Sequence, residues 1–182
     1  GITDPVLAEC VNNSGYTRLE DTTSLNCAWS VNGEITSLVG LDAFPNLEQL
    51  RVSELNLGGG DIDLSQYSSL KMIGIYNSAL TSLIVNDPNV ITELSLNSNK
   101  LSEIDLSAYT NLQHLELSQN ELTSIDLSQN LRLNYLSISS NALSEIDLSN
   151  NVEIINLSVD DNALTYIDLN NNINIESLNI SF

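Results

Sequence analysis

The chain has 182 residues and carries 5 Lys and Arg against 24 Asp and Glu, a formal charge of −19. Nucleic acid and anionic membrane are bound by neutralising negative charge, so both are poor partners for this composition, whereas cations and basic proteins are attracted to it. The sequence holds no unbroken apolar run of about 18 residues, so none of it reads as a membrane-spanning helix, and this length points to one domain.

Residues 1–34 read as a cap. Asp4 followed by Pro5 is a helix start, with Asp as N-cap and Pro at the first helical position. Val6, Leu7, Cys10 and Val11 then share one face at helical spacing, and Gly15 is placed to end the helix in the left-handed conformation. Leu25 and Cys27 alternate as in a strand, with Trp29 read as a large apolar filler nearby. Cys10 and Cys27 are the two cysteines of the chain and read as a disulfide, worth roughly 3 kcal/mol in the chain-entropy account. Such a bond persists outside the reducing cytosol; two unrelated buried thiols are the alternative.

Residues 35–69 read as transitional coils, with Ile35, Leu38, Leu41, Phe44, Leu47, Leu50 and Val52 turned inward. The surplus over the later period sits at Gly58-Gly59-Gly60, either a harmless insertion or a local binding feature. From residue 70 the chain repeats every 21 residues, as in LQHLELSQNELTSIDLSQNLR at 112–132 and LNYLSISSNALSEIDLSNNVE at 133–153. A fixed period of this length, with apolar positions held and the rest free, marks a stacked solenoid whose coils cannot bury their own apolar faces. Each unit is two nested halves of the form LxxLxL, and the last two apolar residues of each half alternate with an outward one. Nothing between them is long enough to be a helix. Short parallel strands are therefore expected on both sides of a flattened coil, helix-poor for an α/β chain.

The motif LxxLxLxxNxL, as at 94–101 and its copies, resembles the leucine-rich-repeat signature, and LxxLxLxxNxLxxIDLSxNxx resembles the nested bacterial leucine-rich repeats of surface proteins. ITSLVGLDAFPNLEQLRV, residues 35–52, is similar to the first repeats of internalin-like proteins. The resemblance covers residues 35–182, and implies a right-handed solenoid built for binding or adhesion, at the cell surface or outside the cell.

Three columns of side chains follow from the period. Asn99, Asn120, Asn141 and Asn162 come once per coil at position 9, where a buried amide is expected to satisfy the backbone of its own coil and the next. Asp105, Asp126, Asp147 and Asp168 point outward inside the IDL motif, with Asp63 as their precursor. That column is a candidate calcium edge, with local backbone bonding as the alternative, because calcium wants six to eight oxygens and one column supplies few. On the opposite face, positions 3, 5 and 7 vary from coil to coil. Arg51, Met72, Tyr76, Glu93, His114, Glu116 and Tyr135 gather the large, amphipathic and charged groups there, the composition a contact patch needs.

Catalysis finds little support: His114 is the single histidine, and no serine or cysteine stands in a recognisable nucleophile context. The expected function is a non-enzymatic protein-binding or adhesion domain, with a glycan-binding domain or a structural spacer as alternatives. The repeat stops part-way through a coil at IESLNISF, so the array is expected to be truncated, or to meet a second copy end to end there.

Overall fold

In the computed structural model, which describes residues 1–16, 18–29 and 33–181, helix α1 spans Pro5–Asn13. Thr17, residues 30–32 and Phe182, within the expected cap and final coil, lie outside the described residues. Asp4 is the N-cap as the sequence dictates: its Oδ1 accepts the Leu7 amide at 2.8 Å, while Oδ2 accepts the Thr36 amide at 2.7 Å and the Thr36 hydroxyl at 2.8 Å. Burial alone would raise the Asp4 pKa, but these bonds outweigh it and hold the carboxyl below its ordinary value. The helix buries Leu7, Cys10 and Val11, and Gly15 follows it at φ +70°. Cys10 and Cys27 are disulfide-bonded with Cα atoms 5.6 Å apart, which ties α1 to the first strand.

Ten short strands follow: β1 (Ser24–Cys27), β2 (Gln49–Ser53), β3 (Asp61–Leu64), β4 (Met72–Tyr76), β5 (Ser82–Val85), β6 (Glu93–Ser95), β7 (His114–Glu116), β8 (Tyr135–Ser137), β9 (Asn156–Ser158) and β10 (Ser177–Asn179). They form a parallel eight-stranded sheet in the order β1-β2-β4-β6-β7-β8-β9-β10 and a separate pair β3-β5. Equivalent repeat positions stand side by side, as in Glu93, His114 and Tyr135, or Leu94, Leu115 and Leu136. Among the described residues, the second side of the coil is thus paired as strands only where β3 meets β5. In later coils the IDL segments form no ladder, and neighbouring coils are joined there by bonds such as Glu121 N to Leu101 O and Ala142 N to Leu122 O, both 2.9 Å.

Between the sides runs one continuous core. Leu112, Leu115, Leu117 and Leu122 are fully buried, and each such side chain contributes roughly 2 kcal/mol by leaving water. The expected inward residues of the first coils, Ile35, Leu41, Phe44, Leu47, Leu50 and Val52, are all buried, with Leu38 partly so.

The asparagine column closes the turn after each strand. Asn120 Nδ2 donates to Leu117 O of its own coil at 3.0 Å and to Leu96 O of the preceding coil at 2.9 Å, and its Oδ1 accepts the Leu101 amide at 3.0 Å. Asn141 and Asn162 repeat the pattern. The second coil reached is the preceding one, not the following one expected from sequence. Ser78 fills the position one coil earlier, with its hydroxyl accepting the Leu55 amide.

A second column, Asn130, Asn151 and Asn172, was not anticipated. Each is buried, and each Nδ2 donates to two carbonyls, as Asn151 does to Leu127 O and Asn130 O at 3.0 Å. Their Oδ1 atoms accept no bond among the described residues. The recurrence of Asn at position 19 in three consecutive units was the available signal.

The residue before the first asparagine column is left-handed in six consecutive coils: Glu54, Asn77, Ser98, Gln119, Ser140 and Asp161 have φ between 48° and 59°. The amides of Ser98, Gln119 and Ser140 donate to Ser118, Ser139 and Asp160 in the next coil at 2.9 Å, which offsets the steric cost of that conformation.

Candidate functional site

Strand alternation turns repeat positions 3, 5 and 7 of the eight-stranded sheet to solvent, and all seven residues singled out from sequence stand on this face. Arg51 on β2 reaches across β4 to Glu93 on β6, with Nη2 2.5 Å from Oε1, and that bond above all raises the guanidinium pKa. Tyr76, at the end of β4, lies back over Gly74 of the same strand. A Cβ on Gly74 would stand 2.6 Å from the Tyr76 hydroxyl oxygen and 3.0 Å from Arg51 Cγ, so only glycine leaves the ring room to lie flat. Met72 is half-buried in register between Gln49 and Glu93.

One strand further on, His114 and Tyr135 stack with ring centroids 4.1 Å apart and planes 10° from parallel. His114 Nε2 lies 3.0 Å from Glu116 Oε1, and Glu116 Oε2 accepts Asn97 Nδ2 at 2.7 Å. The His114 bond above all, with help from Asn97 and Ser95, holds the Glu116 carboxyl below its ordinary value against the burial that pushes it up. The contact with Glu116 and the stack on Tyr135 together fix the orientation of the His114 ring.

Trp29 belongs to this face and was misread as a core filler. It is 66% exposed, and its ring sits 6.3 Å from that of Tyr76. Period-2 counting from Leu25 and Cys27 turns residue 29 inward, but Trp29 occupies the left-handed position of the first coil, with φ +60°. Its amide bonds to Ser53 Oγ in the next coil, and the reversed backbone turns the indole out.

Toward β10 the face becomes a row of hydroxyls and one carboxylate. Ser118 Oγ pairs with Ser137 Oγ at 2.8 Å and Ser139 Oγ with Ser158 Oγ at 3.0 Å, and Asp160 accepts from Ser139, Ser158 and Asn179. At the turn edge beside Gly59 and Gly60 the enlarged coil opens a polar groove of about 780 Å³, lined by Glu34, Glu54, Asn56, Asn77, Ser98 and Lys100 among others.

The aspartate column lies on the opposite side. Asp105, Asp126, Asp147 and Asp168 each accept the backbone amide two residues on at 2.9 Å, as Asp63 does at 2.8 Å. No cluster of three or more His, Cys, Asp or Glu side chains suited to a metal ion occurs among the described residues.

Solved structures similar to this one are solenoids of the same build. The functional domain of InlJ from Listeria monocytogenes, which includes a cysteine ladder, matches with a TM-score of 0.69 and 30% identity over 90% of this chain. A leucine-rich-repeat protein of Leptospira interrogans matches with a TM-score of 0.66 and 24% identity over 75% of this chain. The chain folds as a leucine-rich-repeat solenoid. Internalin C2 of Listeria monocytogenes shares the fold at 22% identity, with a TM-score of 0.64 over 98% of this chain and 86% of its own. The leucine-rich-repeat chain spans only 40% and 38% of the first two structures. No family model matches it, and no curated protein matches it in sequence. Both of its cysteines are in the cap disulfide, and its buried ladders are asparagine.

Proposed function

We propose that this leucine-rich-repeat chain is a non-enzymatic recognition domain that binds a protein partner through the outer face of the eight-stranded sheet, in a surface-exposed or secreted protein. In this reading residues 1–34 cap an array at 35–182. The observation that carries it is the preset platform running from Trp29 and Tyr76 through Arg51 and Glu93 to His114, Glu116 and Tyr135. Aromatic and arginine side chains dominate contact energetics, and here stacking and ion pairing already hold most of them in place. Little side-chain entropy remains to be lost on association. The similarity to internalin-type structures supports a binding or adhesion role, and the disulfide supports a location outside the reducing cytosol.

A glycan ligand is the second reading, favoured by the exposed Trp29 and by the hydroxyl row toward β10. The test is attachment of the fluorescently labelled chain to intact epithelial cells, with and without protease or glycosidase treatment. Trp29→Ala combined with Tyr135→Ala should cut attachment by about 30-fold or more, as loss of a hot spot worth over 2 kcal/mol requires. Protease should abolish attachment and glycosidase should leave it. The opposite pattern selects the glycan reading, and attachment indifferent to both substitutions removes this face from the proposal.

A further inference from the structure

The turn that leads into each strand forms a lateral edge of the solenoid, apart from the face described above. Its position 20 reads Asn89 and Thr110, then Leu131, Val152 and Ile173. The last three are 53%, 44% and 86% exposed, and Ile155, three residues beyond Val152, is 39% exposed. Packing does not require them: the coil core is filled by Leu133, Ile154 and their like, and earlier coils carry polar residues at the same place. Four large aliphatic side chains on consecutive coils make a patch of roughly a few hundred Å², the scale that marks interaction sites on soluble proteins. Arg132 stands beside Leu131, and Glu153 and Glu176 stand on the next two coils. Arg132 makes no ion pair among the described residues, although the chain is rich in acids.

We infer that this edge is a self-association surface, and that its occupant is a second copy of the chain packed antiparallel about a two-fold axis at the coil of Val152. The charge pattern selects that partner. Antiparallel pairing sets Leu131 against the partner's Ile173, Val152 against the partner's Val152, and Ile155 against the partner's Ile155. It also brings Arg132 to about one coil spacing, ~4.8 Å, from the partner's Glu153, and the reciprocal pair forms by symmetry. Parallel pairing would align Arg132 with the partner's Arg132 and lose the complementarity. The charge of −19 works against pairing of copies in general, and the reciprocal Arg132–Glu153 contacts offset that repulsion at this edge. A patch of this size gives a weak dimer, with dissociation in the micromolar range.

Sedimentation of the chain from about 1 µM to about 500 µM in 150 mM-class salt measures it. The expected result is a reversible monomer–dimer equilibrium whose dissociation constant rises at least tenfold in Leu131→Glu and in Ile173→Glu. Both sites are exposed, so their melting should stay at the wild-type temperature. Arg132→Glu should weaken the dimer similarly, and adding Glu153→Arg to it should restore it, since the swap keeps the complementarity. A strict monomer throughout the range overturns the inference. So does a dimer that survives both aliphatic substitutions, or one broken only by Leu178→Ser in the final coil, which would place the contact at the solenoid's end. The edge lies off the strand face, so attachment to cells and self-association fail or hold separately.

Discussion

Asn141 shows how much of the solenoid hangs on one side chain per coil. Its Nδ2 meets carbonyls of two coils, Leu117 O at 3.0 Å and Ile138 O at 3.1 Å, while its Oδ1 accepts the Leu122 amide at 3.0 Å. Truncation leaves the Leu122 amide without its partner, at a cost of about 1–3 kcal/mol partly relieved by water entering the turn, while Leu117 O and Ile138 O keep the bonds from Asn120 and Asn162. Asn141→Ala should therefore destabilise by about 2 kcal/mol, read as a drop in the urea midpoint. Asn141→Ser should recover part of the loss, because Ser78 serves the same position natively. A midpoint unchanged in Asn141→Ala would show that the column fills space and no more. Position 8 carries the complementary lesson. Its left-handed residues are Glu, Asn, Ser, Gln and Asp rather than glycine, because the inter-coil bond of each amide offsets the steric cost.

At the scale of elements, helix α1 is unlike the coils it packs beside. α1 has only nine residues, too few to be helical alone, and it is held by Asp4, by the contacts of Leu7 and Val11, and by the bond from Cys10 to Cys27 on β1. The bond encloses a 17-residue separation, and closing a loop of that size stabilises by roughly 3 kcal/mol. Reduction under native conditions should lower the melting temperature accordingly, with loss of the α1 helical signal preceding loss of the sheet. Coincident loss of both would mean that cap and coils unfold as one unit. Among the strands, β4 shapes the outer face of the eight-stranded sheet, since Gly74 is what lets Tyr76 lie toward Arg51.

For the molecule as a whole, charge is the governing term. One column of acids lies opposite the sheet face, where Asp105 and Asp126 stand one coil apart. The Ser107 hydroxyl and amide hold the Asp105 carboxyl below its ordinary value, and the Ser128 amide and hydroxyl do the same for Asp126. Each carboxylate therefore already has a partner in its own turn. Millimolar calcium should raise the melting temperature no more than magnesium at matched ionic strength, because both only screen the column. A calcium-specific rise of more than about 3 °C would restore the metal reading.

The period of 21, the two nested LxxLxL halves, the N-cap at Asp4, the asparagine turn column and the outward set at positions 3 and 5 were all legible in the chain, because each is a local pattern repeated by identical packing demands. Tertiary structure decided the rest. The alternation placed Trp29 inside, and only the left-handed turn, set by bonds to the coil above, brings it out beside Tyr76. Stacking distance and planarity between His114 and Tyr135, residues 21 apart in sequence, depend on the register between β7 and β8. The direction in which each asparagine reaches, back to the preceding coil, depends on how successive coils are offset. Sequence periodicity specifies which residues recur on a face. Contacts between coils, which no single repeat contains, determine what those residues touch.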